Sequence, residues 1–283
     1  MRWLIGLSGL LAIGAAAAPA PRTIAPATFV EWKAENGPRS FRSGDVTVRV
    51  AVSGKDGDSP PAMTISAPGV PALRIVNDDS IAHYASTIAI GPLVRGQPSS
   101  VVVQTYTGGA HCCMHVAVAL RSGKTFRLID LGEWDGNGVA WPKDVSGDGI
   151  ADFQFVDNAF LYAFGSYADS WPPPLIMTIR AGKAVNVSTE PAYRPLFEAN
   201  MARAGKACFA ADANFAGGPC AGFLAAAARL GEFEAAWAKV ARTTIPAQAG
   251  FPDNCQEQPP PNPCYRDFAT GVRAFLHKQG YLR

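Results

Sequence analysis

Charge is scarce in this sequence, and neither sign dominates. Only 17% of its 283 residues are charged, and 25 lysines and arginines stand against 23 acidic residues, which leaves a net charge of +2. A protein that binds nucleic acid through its phosphates needs a surplus of basic residues on some face. The near balance therefore argues against nucleic acid as a partner, and the 48% hydrophobic content argues against a disordered chain.

The signatures of common catalytic sites are missing as well. The sequence contains no Gly-x-Ser-x-Gly elbow, no P-loop, no His-Glu-x-x-His helix and no dinucleotide-binding fingerprint. Dithiol redox catalysts separate two cysteines by two residues, and no such pair occurs here. These absences favour a non-enzymatic role.

Long apolar runs are absent except at the beginning of the chain. An uncharged stretch from Trp3 to Ala18 follows a basic start and ends in four alanines, which predicts a cleaved signal peptide over residues 1–18. An uncleaved membrane anchor is the alternative, which the shortness of the run disfavours. Because no cysteine precedes Cys112, we expect no lipoprotein anchor. The expected location is periplasmic or extracellular, with no membrane span after signal cleavage.

Cysteine is infrequent, but its number is even. The chain has six cysteines, and in an oxidising compartment an even set predicts disulfides. The simplest pairing makes two local loops, Cys208–Cys220 and Cys255–Cys264, and crossed pairings among these four residues are the alternative. Either arrangement leaves the adjacent residues Cys112 and Cys113.

The patterning of the chain changes near residue 193. Before it, alternating segments such as Val46–Val52 are separated by clusters of Gly, Pro, Asn and Asp, as in antiparallel sheets. After it, Pro219–Leu230 and Glu232–Arg242 have helical composition and spacing. We expect a β domain over residues 19–192 and a helical domain over residues 193–283. The predicted fold class is mainly β, in blade-like antiparallel sheets or a sandwich, followed by a small disulfide-stapled α-helical domain.

A nine-residue segment from Asp144 to Asp152 has the spacing of a calcium loop. Side-chain oxygens fall at its first, third, fifth and ninth positions, a glycine stands at the sixth, and the seventh can offer its carbonyl oxygen. Oxygens at these alternating positions can converge on one hard cation. An Asx-type turn without an ion is the alternative. The predicted ligands of a structural Ca²⁺ ion are Asp144, Ser146, Asp148, Ile150 and Asp152.

This loop resembles the calcium loops of FG-GAP and VCBS-type β-propeller repeats. As in those repeats, the acidic segment runs directly into a β run, here Phe153–Val156. The resemblance covers about residues 85–185 and implies blade-like sheets with a bound calcium ion. Ser146 replaces a carboxylate of the pattern, which would weaken the site.

The segment Thr107–His115 combines paired glycines, two histidines and two adjacent cysteines, and three hypotheses fit it. As a strand, it would place His111, Cys113 and His115 on one face, where two imidazoles and a thiolate could bind Zn²⁺ or copper. Alternatively, Cys112 and Cys113 form a vicinal disulfide, in a tight turn that the glycines would permit. In the third hypothesis both thiols are buried and inert, and the histidines make local hydrogen bonds.

The Gly-Gly-Ala-His-Cys-Cys run of this segment is similar to one in uncharacterised secreted bacterial proteins, a resemblance that implies no activity. Together these features predict a secreted, calcium-binding protein that recognises a protein or glycan of the cell envelope without catalysis. The alternative is a periplasmic hydrolase, or a redox or transition-metal protein, that uses the residues His111, Cys112, Cys113, Met114 and His115.

Overall fold

The structure is a computed structural model. It describes residues 20–55, 59–109, 112–136, 138–210, 216–243, 245 and 267–283. The predicted signal peptide over residues 1–18 lies outside the described residues, and so do His111, Cys255 and Cys264. The Cys255–Cys264 disulfide therefore stays a prediction.

Strands fill the first two thirds of the described chain, and helices follow them. The strands are β1 (Arg22–Thr23), β2 (Val30–Trp32), β3 (Arg39–Ser43), β4 (Val46–Val52), β5 (Pro61–Ala67), β6 (Val70–Val76), β7 (Ser86–Gly91), β8 (Ser100–Tyr106), β9 (Met114–Ser122), β10 (Thr125–Trp134), β11 (Asp152–Val156), β12 (Pro174–Arg180) and β13 (Lys183–Asn186). The helices are α1 (Arg194–Cys208), α2 (Gly217–Leu230), α3 (Phe233–Val240) and α4 (Phe268–Lys278).

The strands form three sheets. Their orders are β1-β3-β4-β5-β6, β10-β9-β8-β7-β2 and β11-β12-β13, and every pair except the parallel β1–β3 pair is antiparallel. Along β4 the alternate residues Val46, Val48 and Val50 are fully buried, because successive side chains point to opposite faces of a strand. The alternation therefore does mark a strand with one buried face.

The second sheet is the middle layer and is buried on both faces. Val101 and Val103 of β8 pack in the core shared with the first sheet, whereas Val102 packs with Phe153 and Phe155 of the third sheet. A strand covered on both sides needs apolar residues at every position, which explains the continuous apolar run of β8. Three stacked sheets, antiparallel except for the β1–β3 pair, confirm the predicted mainly β class.

The helices cover the outer face of the third sheet. Ile176 of β12 packs with Tyr193, Phe197 and Leu230 in a core cluster that joins the two parts of the chain. None of the helices in the described ranges is both long and apolar enough to cross a membrane. The small helical region after the sheets also agrees with the predicted fold class.

Helix α2 lies at the centre of the helical part and is buried almost all around. Its glycines allow the backbone of α2 to lie directly against the backbone of another segment. A Cβ atom at Gly218 would collide with the carbonyl oxygen of Asp169, and a Cβ atom at Gly222 would collide with the carbonyl oxygen of Trp171. The two glycines are four residues apart and share one face of the helix. The segment that follows β11 is therefore seated directly on α2.

A disulfide joins the end of α1 to the beginning of α2. Cys208 and Cys220 are bonded, with their Cα atoms 4.7 Å apart, and both residues are fully buried. This bond confirms the predicted local pairing of these two cysteines and the disulfide staple of the helical part.

Candidate functional site

The predicted calcium loop is closed by its own backbone amides. Asp144 accepts hydrogen bonds from the amide of Gly147 at 2.8 Å and from the amide of Gly149 at 3.0 Å. The amide of Ile150 donates to the Asp148 carboxylate at 2.8 Å. These are the short-range bonds of Asx-type turns, which hold the loop in shape by themselves.

Two arginines from distant parts of the chain bring positive charge to this loop. Nη2 of Arg95 lies 2.8 Å from Oδ2 of Asp144, and Nη2 of Arg180 lies 3.8 Å from Oδ2 of Asp148. Arg180 also forms a two-pronged pair with Glu190, and its hydrogen bonds hold the pKa of that carboxyl below its ordinary value. The acidic loop is thus partly neutralised by side chains of the same protein.

Asp152, the last residue of the loop, is a buried junction. Its side chain accepts hydrogen bonds from the amides of Val145 at 2.9 Å and Ser146 at 3.1 Å, and from the hydroxyl of Tyr193 at 2.8 Å. Burial raises the pKa of Tyr193, and the hydrogen bond to Asp152 adds to the effect because it favours the neutral phenol. This junction ties the loop to the start of the helical part.

These contacts decide how a calcium ion would fit the loop. Within the described ranges, no three His, Cys, Asp or Glu side chains converge as a metal group. Asp144 and Asp148 face arginines, and both oxygens of Asp152 are used in hydrogen bonds. In this arrangement an ion would compete with the two arginines for the carboxylates of Asp144 and Asp148. Calcium binding stays a prediction of the sequence.

The two adjacent cysteines precede β9 and are paired with each other. Their Cα atoms are 3.0 Å apart, and Cys113 is buried. The amide and hydroxyl of Thr107 both donate to the carbonyl oxygen of Cys113, at 3.0 and 3.2 Å. Gly109 has a φ of +101°, and a Cβ atom there would lie 2.7 Å from the Cys112 carbonyl oxygen. The turn therefore requires a glycine at this position, as the sequence predicted for the vicinal disulfide.

The residues proposed for a transition metal are not brought together in the described part of the chain. His111 lies outside it, Cys113 is paired with Cys112, and Nε2 of His115 lies 3.0 Å from Oδ1 of Asp130. The zinc or copper hypothesis therefore stays untested, while His115 has the local hydrogen bond expected of the third hypothesis.

A cleft of about 670 Å³ opens beside the paired cysteines. Its walls come from the ends of β2, β8 and β10, from the start of β7 and β9, and from the segment after β11. The lining residues used below are Glu31, Lys33, His83, Tyr84, Tyr106 and Met114.

Two tyrosines dominate one wall of this cleft, which we call the tyrosine cleft. Tyr84 and Tyr106 meet edge to face, with ring centroids 5.1 Å apart, and the ring of His83 lies 5.8 Å from that of Tyr84. Tyr84 remains 43% exposed, although large apolar rings are usually covered. The hydroxyl of Tyr106 donates to the carbonyl oxygen of Gly109, so the cysteine-containing turn holds this ring in place.

Polar side chains line the same space. The ammonium of Lys33 lies 3.4 Å from the Glu31 carboxylate, and both residues line the cleft. Aromatic surface with a few polar groups suits the binding of a small organic ring that also carries hydroxyl or amide groups. Local sequence patterns do not predict this cleft, because its tyrosines lie in separate segments of the chain.

Comparisons with known proteins match part of the chain. A family model described as the sll0997 C-terminal domain matches residues 197–280. The probable thylakoid lumen protein sll0997 of Synechocystis sp. (strain ATCC 27184 / PCC 6803 / Kazusa) is 31% identical over 192 residues, which are 65% of this chain and 56% of that protein.

A second similar protein is the uncharacterized protein y4bJ of Sinorhizobium fredii (strain NBRC 101917 / NGR234). It is 27% identical over 101 residues, which are 36% of this chain and 16% of that protein. The chain thus spans just over half the length of the first relative and a small part of the second. No solved structure matches the chain significantly.

Proposed function

We propose that this protein acts outside the cytoplasm, in the periplasm or beyond it, and binds a glycan of the cell envelope in the tyrosine cleft without catalysing a reaction. The observation that carries this proposal is the exposed Tyr84 ring, held edge to face against Tyr106 beside polar side chains. Exposed aromatic rings of this kind stack on the apolar faces of sugars.

Three features support the location. The apolar start of the chain has the pattern of a signal peptide. The buried Cys208–Cys220 disulfide belongs to the class of bonds that persist in oxidising compartments. The relative from Synechocystis is named as a probable thylakoid lumen protein, and a lumen corresponds topologically to a periplasm.

In this proposal a calcium ion stabilises the acidic loop from Asp144 to Asp152. The spacing of oxygen residues from Asp144 to Asp152 supports it, and an ion there would replace Arg95 and Arg180 as the positive charge beside the loop. The loop lies away from the tyrosine cleft, and none of its residues lines it. Calcium would therefore stabilise the fold and take no part in contacting the glycan.

Isothermal titration of the full chain with soluble peptidoglycan fragments tests the glycan proposal. We expect Tyr84→Ala to weaken binding by about tenfold or more, because it removes one stacking ring. Phe209→Ala is the matched control, since Phe209 is similarly exposed at 42% but belongs to the helical part.

Two results would overturn the proposal. Fragments that bind wild type and Tyr84→Ala equally would place recognition elsewhere. Fragments that are shortened during the titration, as mass spectrometry would show, would establish a hydrolase instead of a binding protein.

A further inference from the structure

A second cleft lies where the helical part meets the third sheet. It has a volume of about 400 Å³ and is separate from the tyrosine cleft. Residues of α1 form one side, and the end of β10 together with β11 forms the other. The residues that carry the argument are Trp134, Gly138, Phe155, Asn200 and Arg203.

Asn200 is a buried polar residue with an unpaired acceptor. Its side chain lines this cleft, the residue is only 5% exposed, and its Oδ1 atom has no hydrogen-bond partner among the described residues. A buried acceptor without a donor destabilises the folded protein. A residue that supplies only stability would be apolar here, so the unpaired oxygen indicates a donor group that arrives with a ligand.

Arg203 adds a positive charge one helical turn further along α1. It is exposed, and within the described ranges no ion pair involves its guanidinium. Residues three positions apart on a helix lie on the same face, and both Asn200 and Arg203 line this cleft. An arginine in this setting suits a carboxylate, which it can bind through two parallel hydrogen bonds.

Opposite the helix stands an aromatic surface. The rings of Trp134 and Phe155 are stacked, with centroids 3.9 Å apart and an interplanar angle of 15°. The indole N–H of Trp134 already donates to the carbonyl oxygen of Leu131 at 2.8 Å, so this ring offers mainly apolar contact.

The wall next to these rings is held in place. Gln104 is buried, and its amide forms two hydrogen bonds of 2.8 Å to the backbone of Val139. A Cβ atom at Gly138 would collide with the Gln104 side chain. This wall is therefore in place before a ligand arrives, which lowers the cost of binding.

From these groups we infer that the second cleft binds the C-terminal residue of a peptide or another N-acylated amino acid with an apolar side chain. Its carboxylate pairs with Arg203 and its side chain lies against Trp134 and Phe155. Its amide N–H donates to Oδ1 of Asn200 once that enclosed side chain turns towards the cleft. The carboxylate and the N–H are attached to the same carbon in such a ligand, which suits two binding groups on one face of a helix.

Titration of the full chain with N-acetyl-L-phenylalanine, followed by calorimetry, tests this inference. We expect binding to be at least about tenfold weaker for N-acetyl-L-phenylalaninamide, which lacks the carboxylate, and for Arg203→Gln. Lys206→Gln is the matched control, because Lys206 is an exposed cation of α1 that does not line the cleft.

Asn200→Leu gives an independent readout. It should weaken binding while raising the thermal midpoint, because it removes an unpaired buried acceptor. Equal binding of the acid and the amide, absence of binding at millimolar concentration, or full binding by Arg203→Gln would each overturn the inference. None of these results depends on the tyrosine cleft, so the glycan proposal stands or falls separately.

Discussion

The hydroxyl of Tyr193 donates a hydrogen bond to Oδ1 of Asp152 over 2.8 Å, across 41 residues of sequence. Asp152 opens β11, and Tyr193 stands immediately before α1. Both residues are almost completely buried. The bond therefore fixes the helical part to the third sheet at the point where the acidic loop ends.

Tyr193→Phe should lower the free energy of unfolding by about 2 kcal/mol, because it leaves a buried carboxylate oxygen without a donor. Urea denaturation of the two proteins measures this difference. Tyr84→Phe is the control, since its ring is exposed and the change should stay within about 0.5 kcal/mol. A loss of the same size in both variants would show that the Tyr193–Asp152 bond contributes nothing of its own.

Alkaline conditions should destabilise the protein. Burial raises the pKa of both Tyr193 and Tyr281, and the nearby carboxylates of Asp152 and Asp157 add to the shift. Above the ordinary phenol pKa of about 10, the unfolded chain loses these protons while the folded chain keeps them. Stability is therefore fully present below about pH 10 and falls as the pH rises further.

Urea midpoints measured across this range test the effect. Tyr193→Phe should reduce the decline, because one of the two shifted groups is then absent. A decline that is identical in wild type and Tyr193→Phe would contradict the assignment to Tyr193.

Added Ca²⁺ should raise the thermal midpoint if the loop binds the ion as its spacing predicts. Asp148→Asn should abolish the rise, because Asp148 is a predicted ligand whose carboxylate is exposed and not part of the buried Asp152 junction. Chelator-treated protein supplies the baseline. No rise in the wild type at millimolar Ca²⁺ would mean that Arg95 and Arg180 are sufficient to neutralise the loop.

Mass mapping should find a Cys208–Cys220 cross-linked peptide before reduction. Cys112 and Cys113 should resist alkylation until a reductant is added, because they are paired. Alkylation of both without reduction would eliminate the vicinal disulfide and return the segment to the metal or inert-thiol hypotheses. The same experiment tests the predicted Cys255–Cys264 pair.

Gly222→Ala separates two opposing effects in α2. Helix propensity alone would stabilise the protein by about 1 kcal/mol. A Cβ atom at this position collides with the carbonyl oxygen of Trp171, and overpacking costs about 1 to 3 kcal/mol. We expect a net loss of stability, measured by urea denaturation. A gain would mean that the backbone at Trp171 moves away from the added methyl group at little energetic cost.

Local pattern was enough to predict the β class and the helical region. The alternation of Val46, Val48 and Val50 depends only on neighbours in the chain, and so does the close spacing of Cys208 and Cys220. Local spacing also predicted calcium binding by the loop from Asp144 to Asp152, which stays a prediction. Its spacing does not indicate that Arg95 and Arg180 approach the carboxylates, because those residues come from other elements.

The two clefts could not be predicted from local sequence pattern for the same reason. Tyr84 and Tyr106 lie in different strand regions, and each is ordinary in its own segment. Asn200 and Arg203 are polar residues on a helix that resembles any surface helix until β11 is packed against it. Only the folded arrangement shows that the acceptor of Asn200 is buried and unpaired.

The Cys208–Cys220 disulfide has a consequence for handling the protein. It encloses residues 209–219, so a protease that cuts one peptide bond between the two cysteines cannot release a fragment. The cut chain would migrate as one band on a gel without reductant and as two bands with it. Intact mobility under oxidising conditions is therefore no proof of an uncut chain, and every preparation needs a reduced lane beside the oxidised one.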